Sequence, residues 1–241
     1  VNGKSDSIDV LLHSPGGQPD ATERIVHILR NKFNEVHFLV PHSAYSAATM
    51  LALSGDSITL HPSATLGPID PQINGIPARS IKRGFDKVKD IIKTEGPEAL
   101  PAYIPLIEKY TLDLLEICED SEKLSKELVS NWIINFMLKG KEKFEGQVQK
   151  SVDYFSDYDT HLLHSRPLVI SKLKEFDLNI YQADDTLSEL IWEAYVHING
   201  FFGLTAFVKL YENRHGVSWG SLFQQVIVQQ QPQGQLPKQS L

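Results

Sequence analysis

Ile8-Asp9-Val10-Leu11-Leu12-His13-Ser14-Pro15-Gly16-Gly17 opens the segment that decides the fold. Ile8 to Leu12 is a nearly unbroken apolar run with β-branched members, the pattern of a strand buried on both faces of a mostly parallel sheet. A helix is expected next, capped by Asp20, because Ile25, Ile28, Leu29 and Phe33 recur at intervals of three and four. Residues 36–40 read as a second buried strand, residues 46–53 as a helix of small residues, and residues 57–60 as a third strand. Strand, helix, strand, helix, strand in this order makes right-handed crossovers and an α/β layered fold the expected outcome.

Outward from this segment the pattern changes. Gly67, Pro68, Pro71 and Gly75 break all periodicity between residues 66 and 77, so the chain must loop over the sheet edge there. Helical spacing dominates afterwards, over residues 81–92, 106–115 and 124–138, and a short helix is expected at 168–176 after an irregular polar stretch from 156 to 167. Leu187, Leu190, Ile191, Ala194, Ile198 and Phe202 mark a long amphipathic helix. The expected division is a main domain over residues 1–180, a helical extension over 181–223, and a tail from 224 to 241 that holds eight glutamines.

A chain of 241 residues with 41% hydrophobic and 22% charged residues can bury a full core and has an ordinary globular composition. The formal net charge of -7 argues against a nucleic-acid partner, which calls for a basic face. Cys118 is the single cysteine, so no intrachain disulfide can form, and its place in a helical pattern suggests a core thiol and a reducing, cytoplasmic compartment. No stretch has the eighteen or so apolar residues of a membrane span. The first strand comes so early that an upstream segment is expected, and any membrane association would pass through that segment.

Two motifs carry chemistry. Pro15 fixes φ, and the two glycines after it allow a positive φ and a backbone N–H turned into a cleft at the strand end. Gly16 or Gly17 is therefore a candidate oxyanion donor. The second motif is Pro41-His42-Ser43-Ala44-Tyr45-Ser46-Ala47-Ala48-Thr49-Met50, which sets a hydroxyl at a helix start, where the N–H of Ala47 has no acceptor in its own helix. Ser46 is the candidate nucleophile, and two such N–H groups stabilise charge that appears only at the tetrahedral intermediate.

The run from Leu11 to Gln72 resembles the serine dehydrogenase proteinase family, which is similar to signal peptide peptidase A and to the caseinolytic protease ClpP within the ClpP/crotonase superfamily. The match is carried by Leu12-His13-Ser14-Pro15-Gly16-Gly17, Val40-Pro41-His42-Ser43-Ala44-Tyr45-Ser46-Ala47-Ala48-Thr49, Ala52-Leu53-Ser54-Gly55-Asp56-Ser57-Ile58 and Leu66-Gly67-Pro68-Ile69-Asp70-Pro71-Gln72. A weaker echo lies at Thr160-His161-Leu162-Leu163-His164-Ser165-Arg166-Pro167-Leu168. The resemblance implies a ClpP/crotonase-like layered fold with a mostly parallel sheet flanked by helices, Ser46 as nucleophile, and Gly16 or Gly17 with Ala47 as the oxyanion hole.

A serine also needs a base. In the ClpP branch a histidine falls about where this chain has Asp70, which cannot replace an imidazole; the signal peptide peptidase branch uses a lysine from a later segment. A Ser/Lys dyad is the favoured expectation, with Lys82 ahead of Lys87, against the alternative that both belong to a solvated basic helix face. His61, His161 and His164 stay open as other bases, and His13 and His42 read as structural. His161 and His164, near Asp157 and Asp159, match no trusted metal spacing, so neither metal nor cofactor is expected. The leading reading is a serine endopeptidase acting on peptides or unfolded proteins through an acyl-enzyme, as a homo-oligomer that uses its helical half. Two others are kept: a catalytically silent scaffold or adaptor, motivated by Ala48, Asp70 and the glutamine-rich tail, and a crotonase-like acyl-thioester enzyme.

Overall fold

The structure is a computed structural model describing residues 5–111, 113–141 and 145–223. The tail read from residue 224 onward lies outside the described residues. In chain order the elements are β1 (Ser5–Leu11), α1 (Pro19–Lys32), β2 (Phe33–Val40), β3 (Ser43–Ala44), α2 (Ala47–Leu53), β4 (Ser57–Leu60), β5 (Thr65–Leu66), β6 (Gln72–Ile73), β7 (Ile76–Pro77) and α3 (Ala78–Glu95). They continue with α4 (Ile104–Ile107), α5 (Asp113–Trp132), α6 (Glu145–Ser156), α7 (Tyr158–His161), β8 (Leu168–Val169), α8 (Ile170–Leu173), β9 (Ile180–Gln182), α9 (Asp185–Leu204), β10 (Phe207–Glu212) and β11 (Ser218–Leu222).

Four strands form one parallel sheet in the order β1-β2-β4-β9. Val36, Phe38 and Val40 alternate inward on β2 and are at most 1% exposed, and Ile58 and Leu60 do the same on β4. Each such side chain withdrawn from water contributes roughly 1.5–3 kcal/mol. All of α2 is buried, as its run of small and aliphatic residues requires, and it packs between the sheet and α5. Asp56, just past α2, accepts the backbone N–H of Val36 at 2.8 Å and an Arg30 NH group at 2.6 Å, with the Arg30 guanidinium lying 3.8 Å from the centre of the Phe136 ring. This set locks the far ends of α1, α2 and β2 together.

Local chemistry shifts several expected boundaries. Pro19 takes the first helical position of α1 with Gln18 as the cap residue, so Asp20 sits in the first turn, where it complements the helix dipole, and makes no cap. Phe33 starts β2 and is not the last residue of the helix. The periodic stretch through residue 138 leaves α-geometry at Ile133–Met137, where the turn widens to a π-helix. Residues 168–176 give two residues of strand, one turn of α-helix and a 3₁₀ turn.

The chain divides into two compact units, the first ending at Tyr195 and the second beginning at Val196. Residues 181–223, expected to be a helical extension, hold α9 but also the antiparallel pair β10 and β11. Among the described residues no helix is long and apolar enough to cross a membrane.

Candidate active site

A second, small sheet gathers the site. Its order is β3-β5-β8, with β3 parallel to β5 and β5 antiparallel to β8, and with Ala44 facing Leu66 and Leu66 facing Leu168. Ser14 adds a parallel bridge to Ala44, closed by Ser14 N–H to the Ser43 carbonyl and Tyr45 N–H to the Ser14 carbonyl, both at 3.1 Å. Four chain segments therefore leave this sheet at one end. They carry Gly16 and Gly17 after Ser14, Ser46 after Ala44, Asp70 after Leu66, and His164 ahead of Leu168.

Thr49 fixes the turn between β3 and α2. Its fully buried hydroxyl donates to the Ala44 carbonyl at 2.7 Å and accepts the Gly67 N–H at 3.1 Å, tying α2 to the segment that leads to Asp70. Gly67 can have no side chain, because a Cβ would stand 2.4 Å from the Tyr45 ring.

Ser46 itself has φ 54° and ψ -123°, a conformation that suits glycine at the first central position of a tight turn. Holding a side-chain-bearing residue there costs on the order of 1–3 kcal/mol. Its hydroxyl caps nothing: no side-chain hydrogen bond to the helix start is formed. A strained, half-buried serine whose hydroxyl serves no cap is not explained by folding. Ser46→Gly is accordingly expected to be more stable than Ser46→Ala by about 1 kcal/mol, read as a higher melting temperature.

Gly16 lies directly across from this residue. Its φ is +121°, and a Cβ built on it would sit 2.8 Å from the Ser46 Cβ and 3.0 Å from the Tyr45 carbonyl oxygen. The two proline-following glycines are not equivalent. Gly16 N–H is taken by the Ser14 hydroxyl at 3.1 Å, whereas Gly17 N–H has no acceptor among the described residues. The N–H of Ala47 likewise has none. Ala48 donates its N–H to the Tyr45 carbonyl at 2.9 Å and belongs to the core cluster, so its methyl is directed inward.

The Asp70 carboxylate, 2% exposed, receives two hydrogen bonds: His164 Nδ1 at 2.9 Å on one oxygen and the Gln72 side-chain amide at 3.0 Å on the other. The imidazole is more open, with 26% of its side chain exposed. The segment leading to it is clamped from outside. Arg79 and Arg83 of α3 each hold one oxygen of Asp159 on α7 at 2.8 Å, and the Arg79 hydrogen bond is the main influence lowering the Asp159 carboxyl below its usual range. A buried carboxylate on the Nδ1 side fixes the tautomer and leaves Nε2 for a proton from elsewhere.

The other expected bases are engaged otherwise. Lys82 is paired with Glu122 at 3.0 Å and Glu119 at 3.8 Å across α3 and α5, and Lys87 lines an apolar cavity of about 410 Å³ beside Phe85, Tyr103 and Tyr110. Among the described residues neither lysine, nor His164, has a hydrogen bond to Ser46. His161 is buried and bonds the Tyr154 carbonyl at 2.6 Å. His61 stacks on Trp192, and burial pushes its imidazole pKa down. His13 is bonded to the Ser43 carbonyl at 3.2 Å and set edge-on to Tyr195; burial lowers its pKa, the Ser43 bond opposes that, and neighbouring His42 adds to the lowering. Among the described residues no group of three or more His, Cys, Asp or Glu side chains could hold a metal ion.

The sequence marks Asp70 as a residue that cannot be a base and as a reason to consider a silent scaffold, and its link to His164 emerges only from the structure. The signal was present in Asp70 and the histidine-bearing echo at residues 160–168, but nothing in the spacing joins them.

Two uncharacterized proteins of Methanocaldococcus jannaschii are similar to the chain. One is 28% identical over 173 residues, covering 72% of this chain and 51% of that protein, and the other is 29% identical over 196 residues, covering 78% and 59%. The chain thus spans between about half and three fifths of the length of these relatives. No solved structure gives a significant match. With the parallel sheet flanked by helices, the strained serine and the glycine turn against it, the match of residues 1–193 to the family model is decisive: the chain belongs to the ClpP-like SDH-type serine proteinases.

Proposed function

We propose that the protein is a serine peptidase in which Ser46 attacks, His164 is the general base, Asp70 orients His164, and the N–H groups of Gly17 and Ala47 receive the oxyanion. The observation that carries this reading is the hydrogen bond from the His164 imidazole to the buried Asp70 carboxylate, at the sheet end where Ser46 and the glycine turn also emerge. It replaces the lysine dyad, because the Lys82 ammonium is already matched by two carboxylates.

The Ser46 hydroxyl adds to the scissile carbonyl carbon as its proton passes to His164 Nε2. The carbonyl oxygen becomes an oxyanion held by two N–H groups that have no acceptor among the described residues, so little reorganisation is needed as charge develops. Collapse expels the amine, which takes the proton from His164, and water then cleaves the Ser46 ester by the same route in reverse. Peptides or unfolded proteins are the proposed substrates.

A fluorophosphonate probe tests the assignment. The expected result is a single adduct on Ser46, mapped by mass spectrometry, with labelling abolished in Ser46→Ala, slowed at least a hundredfold in His164→Ala and retained in Lys82→Ala. An unlabelled wild-type chain would favour the silent scaffold, and loss of labelling in Lys82→Ala with retention in His164→Ala would return the base to the lysine.

A further inference from the structure

Asp70 and His164 are 94 residues apart in the chain, and the first turns of α3 are tied to the segments that carry both. On the Asp70 side the tie is short and stiff. Asn74 and Gly75 both take positive φ, 52° and 79°, as a two-residue type I′ turn requires, so β6 and β7 pair tightly and bring the chain back to where it left Asp70. Ala78, the first residue of α3, donates its N–H to the Pro71 carbonyl at 2.9 Å, and Gln72 in the same hairpin donates its side-chain amide to the Asp70 carboxylate. The direction in which α3 departs is therefore fixed relative to Asp70.

On the His164 side the local support is slight. α7 is a single turn followed by Leu162 in the left-handed region, φ 64°, and Leu162 and Leu163, which lead to His164, are 61% and 60% exposed and supply no buried anchor. His161 ties α7 to the Tyr154 carbonyl of α6 on its inner side. Arg79 and Arg83, one turn apart on α3, close the outer side by taking one oxygen each of Asp159. These three side chains are 38–49% exposed, and ion pairs so placed add little to stability. A clamp that adds little to folding, set on the one-turn helix that precedes the imidazole, is suited to aiming it.

We propose that Arg79, Arg83 and Asp159 are positioning residues for the Asp70–His164 pair: α3 directs the His164 loop through Asp159 towards the carboxylate that its own start holds from the other side. The inference rests on the reading of Ser46, His164 and Asp70 as nucleophile, base and orienting carboxylate. Asp159→Ala is expected to lower kcat on a peptide anilide by about ten- to a hundredfold with KM changed by no more than about twofold, because a misdirected base is felt only as the proton moves. The melting temperature should shift by no more than about 4 °C. Arg79→Ala combined with Arg83→Ala should give the same loss, and adding Asp159→Ala should lower kcat no further. Asp159→Glu, which keeps the charge, should recover most of the rate. The downfield Nδ1–H proton resonance of His164, assigned by its absence in His164→Ala, should weaken in Asp159→Ala and return in Asp159→Glu, a readout that does not depend on turnover. Wild-type kcat or an unaltered resonance in Asp159→Ala, with His164→Ala strongly slowed, would overturn the clamp and leave the peptidase reading standing. Additive losses in the triple variant would also overturn it, and equal turnover by wild type and His164→Ala would overturn both.

Discussion

Asp70→Asn is expected to lower kcat on a peptide anilide by about ten-thousand-fold while KM changes by only a few-fold. The reasoning starts from the two donors that meet at this buried carboxylate, His164 Nδ1–H and the Gln72 amide N–H. A carboxylate accepts both; an asparagine has one oxygen and one NH₂, and can satisfy only one donor. If its oxygen faces Gln72, its NH₂ faces Nδ1 and forces the imidazole proton onto Nε2, the atom proposed to accept from Ser46. If its oxygen faces His164, its NH₂ faces the half-buried Gln72 side chain, whose amide turns over to accept it, and the imidazole keeps its tautomer beside a neutral partner. The first arrangement removes the base, and the second loses the negative charge that stabilises the imidazolium. Steady-state kinetics, with a thermal melt as the folding control, checks this. A fall in the melting temperature with kcat intact would reduce Asp70 to a structural residue.

The parts of the fold that could be read from sequence are those where one element writes a continuous pattern. Ile8 to Leu12 shows a strand, although β1 is the edge of its sheet, with Asp9 exposed and Ile8, Val10 and Leu11 half-buried, and is not covered on both faces as its apolar run suggests; Ser57 to Leu60 alternates with Ile58 and Leu60 buried, and the small residues of α2 fit only a close-packed helix. Ser46 and the Pro-Gly-Gly turn were legible for the same reason: each is a local departure, a hydroxyl among alanines and a break after a strand. The sheet that assembles the site is not legible in this way. β3, β5 and β8 are two residues each, too short to show any period, and they join positions as far apart as Asp70 and His164. Lys82 looked available because a helical sequence shows only that one face is basic, and gives no sign that Glu119 and Glu122 of α5 lie opposite. The hairpin at 207–222 was hidden by the length of the α9 pattern, although Phe207-Val208-Lys209-Leu210-Tyr211-Glu212 followed by Asn213 and Gly216 carries a strand-and-turn signal of its own.

Gly16→Ala is expected to reduce acylation of Ser46 by about a hundred- to a thousandfold, and Gly17→Ala to cost far less. The asymmetry follows from geometry, since both substitutions keep the backbone N–H. At Gly16 the new methyl must occupy space 2.8 Å from the Ser46 Cβ and 3.4 Å from its hydroxyl oxygen, and 3.0 Å from the Tyr45 carbonyl, which is backbone and cannot swing aside. The φ of +121° is also one that alanine rarely adopts, so the turn itself must reopen. Either response shifts the adjoining Gly17 N–H, the proposed oxyanion donor, and a displacement of about 1 Å between reacting groups is enough for a hundredfold loss. At Gly17 nothing lies within 4 Å of the added carbon, and φ is outside the left-handed region, so the loop keeps its course. The measurement is the second-order rate of fluorophosphonate labelling for the two variants, side by side with wild type. Equal rates for Gly16→Ala and Gly17→Ala would mean that the glycine turn is not positioned against the nucleophile, and the oxyanion hole would have to be sought elsewhere.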